Sequence, residues 1–83
     1  MMLLYLGDAI QAISALPPAD QYIRLLGLRA GLLQQRGRSK EDITRLCDFA
    51  DQGESWRSYI TKEAFESDWS EARTIRHRHR DTQ

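Results

Sequence analysis

Few side chains in this chain are suited to chemistry, and they do not converge on one reaction. Cys47 is the only cysteine. It falls on the apolar stripe of a helix, where a thiol is a buried, inert group. His77 and His79 are the only histidines, and two imidazoles near a chain end make a weak metal site. Acidic residues are plentiful, but none forms a recognisable acid/base or metal set. No cluster of Cys and His has zinc spacing, and no glycine-rich loop could cradle a phosphate. The expectation is a protein that is not an enzyme and holds no metal or cofactor.

Other residues are suited to binding. Arg73, Arg76, Arg78 and Arg80, with His77 and His79 between them, form the only dense basic cluster. Such a cluster could touch phosphates in a salt-sensitive way. Against this, the net charge of the chain is zero, so there is no overall footprint for nucleic acid or an anionic membrane. The charge is nevertheless segregated. Arg24 to Lys40 is basic, Glu41 to Glu54 acidic, Glu63 to Glu71 acidic and Arg73 to Arg80 basic. Blocks of this kind can pair within a fold or between chains.

Four of the seven aromatics, Trp56, Tyr59, Phe65 and Trp69, stand within fourteen residues, with Arg57 among them. Trp, Tyr and Arg are enriched at binding hot spots. A small protein also spends its large side chains on its core. The expectation is that most of the four are buried and that one, Trp56 or Trp69, is exposed for a partner.

The elements that must position these residues are helical. No sustained alternation or β-branched run signals a strand. The stretch Tyr22–Gln35 carries an apolar face too wide for a surface helix, with Tyr22, Ile23, Leu25, Leu26, Leu28, Ala30, Leu32 and Leu33 spread over more than half of its circumference. It is expected to be the central helix of a bundle or a helix shared with a second chain, with Leu25 and Leu32 as partner contacts. Arg29 sits in the middle of that face. An unpaired buried guanidinium is very costly, so Arg29 should find an acceptor in the fold, meet a partner, or snorkel to water. Gly27 and Gly31 are four apart, a spacing that lets helices pack closely.

Met2–Leu16 reads as an amphipathic helix ended by Pro17-Pro18. Pro18 opens the second helix, which runs to about Arg36, with Gly37 as its stop. Ser39 caps a third helix from Lys40 to about Asp51, with a buried stripe of Ile43, Leu46, Cys47 and Ala50. Phe49 falls off that stripe. Asp51–Glu54 reads as a turn. A break near Thr61, with Thr61 as a cap, would let Trp56, Tyr59 and Ile60 face the core from one side and Phe65, Trp69 and Ala72 from the other. From about Thr74 the apolar periodicity stops, which predicts a frayed tail.

Residues 22–50 loosely resemble a tetratricopeptide hairpin at Leu26, Ala30, Leu33, Gly37, Ile43 and Leu46. The pattern departs at Arg29 and Asp42, and a single unit does not make an array. The spacing is read as that of helical hairpins in general and not as membership. The helix Lys40–Asp51 and the segment Glu54–Ile60 also have helix-turn-helix length, presenting Ser55, Arg57, Ser58 and Lys62. The acids around the turn have the wrong sign for DNA.

The expected architecture is all-α, a small bundle of four to five short helices: residues 1–74 form one helical domain and residues 75–83 a flexible basic tail. A chain of 83 residues buries a thin core, which is often supplemented by association. The expected function is a small protein-binding module, an adaptor, chaperone-like cofactor or inhibitor, acting through Leu25, Arg29, Leu32, Trp56, Arg57 and Trp69 on another protein or on a second copy of itself. The alternative is a small DNA- or RNA-binding regulator using Arg73, Arg76, Arg78 and Arg80. The N-terminal run lacks the basic start of a signal peptide, and no run approaches the length of a membrane span. With one unpaired thiol, this suggests a cytoplasmic protein that does not engage a membrane.

Overall fold

A computed structural model of the chain describes residues 6–53 and 56–81. The architecture is all-helical, in the order α1 (Leu6–Ser14), α2 (Pro18–Gln34), α3 (Lys40–Gln52), a short 3₁₀ turn (Arg57–Tyr59) and α4 (Lys62–Asp81). The N-terminal part of the first expected helix, Met2–Tyr5, lies outside the described residues.

Local chemistry explains most boundaries. Pro17 and Pro18 separate α1 from α2, and Pro18 occupies the first turn of α2, where its missing N–H breaks no helical bond. Helix α2 ends two residues before the expected Arg36, and Gly37 takes the left-handed conformation in the loop at φ 60°. Ser39 caps α3, its Oγ accepting the Asp42 amide at 3.1 Å. Thr61 does the same for α4, accepting the Ala64 amide at 3.1 Å. The break expected near Thr61 is therefore present, and the segment before it is the 3₁₀ turn.

Helix α2 touches α1, α3 and α4, and α3 and α4 share the most extensive contact. The core is composed of Ile13 from α1, Tyr22 and Leu25 from α2, the stripe Ile43, Leu46, Cys47 and Ala50 from α3, Trp56, and Phe65, Trp69 and Ala72 from α4. The α3 stripe is the one its periodicity dictates. The break at Thr61 brings Trp56 to the same core as Phe65 and Trp69.

Two expectations give way. First, the segment expected to fray from about Thr74 is the C-terminal half of α4, helical to Asp81. There Arg76 and Arg80 pair with α3 carboxylates and Ile75 packs against the core, contacts that apolar periodicity does not reveal. Second, Gly27 and Gly31 pack against nothing. A Cβ built at either meets no heavy atom within 4 Å, so they lie on the open side of α2. Phe49 lies off the buried stripe, as its position predicts, and is half-buried against Trp56, with ring centroids 5.4 Å apart. The chain folds back after α3 and supplies an aromatic neighbour off the helical stripe.

Candidate protein-binding surface

The expected site residues do not form one surface. Leu25 and Trp69 are fully buried and Trp56 is 2% exposed. All three are core residues, a correction to their expected role as partner contacts. Trp56 is enclosed because its indole lies over Gly53, where any side chain would collide with the ring. Its Nε1 donates to the Ala50 carbonyl at 3.2 Å. Trp69 is enclosed between α2 and α4, and its Nε1 donates to the Tyr22 hydroxyl at 3.2 Å. Both polar indole atoms are satisfied inside the chain, which removes the reason for either ring to reach solvent. The exposed aromatic is Tyr59, at 63%.

Arg29 finds its acceptor within the fold. It is half-buried and its Nη1 donates to the main-chain carbonyl of Asp68. Beside it, the Tyr22 hydroxyl donates to Asp68 Oδ2 at 2.8 Å. Burial first, and then this hydrogen bond, push the Tyr22 phenol up to about 12. Arg29, Tyr22, Asp68 and Trp69 thus form one polar joint between α2 and α4. Leu32 is half-buried and packs against the core. Arg57 is exposed, donates to the Asp51 carbonyl at 2.7 Å, and lies over the Phe65 ring at 5.5 Å.

The basic cluster is largely neutralised. Arg73 pairs with Asp51 at 2.9 Å. Arg76 bridges Asp48 at 2.9 Å and Asp51 at 2.7 Å. Arg80 meets Asp48 at 2.7 Å. Burial opposes the charge on Asp51, but hydrogen bonds from Arg76 and Arg73 outweigh it and hold its carboxyl below the usual carboxylate range. The same balance raises Arg76. Of the four arginines only Arg78 makes no ion pair among the described residues. The acidic block of α3 has found the basic block of α4. The signal was in the spacing: Asp48 and Asp51 are three apart, and Arg73, Arg76 and Arg80 are three and four apart, so each set shares a helix face.

Neither helix-turn-helix chemistry nor thiol chemistry is supported by the geometry. The element after α3 is a three-residue 3₁₀ turn, too short for a recognition helix, and Glu54 and Ser55 lie outside the described residues. Cys47 is fully buried, and burial pushes its thiol up, away from thiolate. Among the described residues, no group of three or more His, Cys, Asp or Glu side chains could hold a metal ion, and no helix is long and apolar enough to cross a membrane.

The open apolar surface lies elsewhere, along α1 and α2. A cleft of about 310 Å³ runs between these helices, lined by Asp8, Ala9, Ala12, Leu16, Arg24 and Leu28. Four of these six are apolar, with one acid from α1 and one base from α2. Ile23, next to Arg24 in sequence, is 70% exposed. It and Tyr59 are the exposed large apolar side chains among the described residues. The sequence does not reveal this cleft, because Ala9, Ala12 and Leu28 have the spacing of ordinary helix–helix contacts. No protein-family model, curated protein or solved structure matches this chain.

Proposed function

We propose that this chain is a small protein-binding module that takes an apolar segment of a polypeptide into the α1/α2 cleft. The observation that carries this reading is the cleft itself: an open groove whose described lining is mostly apolar. Helical modules commonly bind in this way, a groove accepting the apolar side chains of a partner segment. Adaptor, inhibitor and chaperone-like roles all use such a groove, and none requires catalysis. Cytoplasmic placement belongs to the same reading. The alternative, a DNA- or RNA-binding regulator, would need the α4 arginines. Three of the four are engaged by α3 carboxylates, so a phosphate would have to displace them.

A photo-reactive residue placed at Ala12 tests the proposal in the cell of origin, with one at exposed Glu41 on α3 as control. The expected result is a discrete protein adduct from position 12 and none from position 41. Absence of any adduct at 12, or equal labelling at both positions, would refute it. Salt-dependent retention on a phosphate-rich resin provides the counter-test. Loss of retention on replacing Arg73, Arg76, Arg78 and Arg80 by Gln would favour the nucleic-acid reading.

A further inference from the structure

The cleft is self-complementary in charge. Asp8 stands on α1 and Arg24 on α2, both exposed, and both line the same groove. Neither makes an ion pair among the described residues. An acid and a base that share an apolar groove without meeting each other can meet their counterparts on a second copy. A two-fold axis through the groove does this twice, because it sets each residue opposite the site of the other. The apolar lining residues Ala12 and Leu28 then face the second copy across the axis.

Resting on the protein-binding reading above, we infer that the occupant of the α1/α2 cleft is a second copy of this chain, in an isologous dimer closed by Asp8 and Arg24 across the two-fold axis. The groove has few other features for choosing a partner. Its described lining is apolar apart from one charge of each sign, so a strongly acidic or strongly basic segment would leave one of the two charges facing its own kind. A second copy presents both signs in the right order. Association also supplies burial that a core of this size lacks.

The test is a charge exchange read by light scattering over a range from micromolar to millimolar protein. The wild-type chain is expected to reach twice its mass. Asp8→Arg sets two bases against each other at both symmetry-related contacts, and Arg24→Asp sets two acids. Each variant alone should associate more weakly by roughly tenfold or more, since like charges opposed across an interface are strongly unfavourable. An equimolar mixture of the two variants should recover the dimer, because every contact then pairs an acid with a base. Recovery in the mixture cannot come from any intrachain contact. Both residues are exposed, so neither change threatens the fold.

Self-pairing is overturned by a wild-type monomer across the whole range, or by a mixture that associates no better than its components. A monomer whose Ala12 cross-linker still captures a different protein overturns self-pairing and leaves the binding reading in place. A monomer with no adduct at Ala12 overturns both.

Discussion

The two halves of this chain are joined by different forces. In the second half, α3, the 3₁₀ turn and α4 contribute most of the core, including both tryptophans. A network of two aspartates and three arginines then holds the end of α4 on α3. In the first half, α1 contributes one buried residue, Ile13, and α1 and α2 line an open groove. Dense packing and paired charge occupy most of the second half, which leaves Tyr59 as its exposed large apolar side chain among the described residues. The loosely packed half carries the surface with unmet apolar and charged groups. Large side chains are therefore a poor guide to an interface in a chain this small, since the core takes them first.

The comparison breaks first, if it is wrong, at Trp69. Trp69→Ala removes a fully buried ring and the hydrogen bond to Tyr22, and should cost about 3–5 kcal/mol in denaturant unfolding. Leu28→Ala, in the cleft, should cost less than about 1 kcal/mol. Similar losses at the two positions would mean that the halves are equally well packed. Gly53→Ala comes next. Its backbone is unremarkable at φ −78°, but the new methyl would overlap the Trp56 ring. The expected cost is about 1–3 kcal/mol, with a shift in tryptophan fluorescence as Trp56 moves. An unchanged spectrum and stability would show that Trp56 does not lie over Gly53.

Charge sharpens the contrast. Asp48→Asn with Asp51→Asn should cost about 1–2 kcal/mol, a figure discounted for the partial exposure of both carboxylates. The loss should fall on α4, with faster amide exchange at Arg76–Asp81 and little change at Leu46. Uniform acceleration would argue against a network that chiefly holds the end of α4. The Asp51 carboxyl is held low in the folded chain. Its contribution is therefore present above the ordinary carboxylate pKa and lost as pH falls through the depressed value. Acid unfolding of wild type should show this loss, and the doubly substituted chain should show less of it.

Tyr22 reports on the joint between the halves. Its phenol is raised to about 12. The unfolded chain ionises at about 10, so this contribution is complete below that pH and lost as pH rises toward 12. Ultraviolet titration should find one of the three tyrosines ionising late, and Tyr22→Phe should remove that phase at a cost of about 1 kcal/mol. A late phase that survives the substitution would belong to another tyrosine. The smallest effect is a gain. Gly27→Ala and Gly31→Ala, on the open side of α2, should each stabilise the fold by about 0.5–1 kcal/mol, because alanine suits a helix better and meets no neighbour. Destabilisation at either position would reveal a contact on that face.

The sequence by itself determined the local structure. Pro17-Pro18, Ser39 and Thr61 act on backbone within a few residues, so the starts of α2, α3 and α4 were legible. The stripe Ile43, Leu46, Cys47 and Ala50 was legible too, because helical period alone puts it on one face. What the tertiary structure decided was which groups meet. Beyond Thr74, α4 is paired through Arg76 and Arg80 with Asp48 and Asp51, more than twenty residues away. The burial of Trp56 depends on the bare backbone of Gly53, and that of Trp69 on a hydroxyl from α2. The cleft is lined from both α1 and α2, so it exists only once the two helices are packed. Periodicity and capping are short-range and can be read along a chain, whereas enclosure and charge neutralisation depend on neighbours that only the folded arrangement brings together.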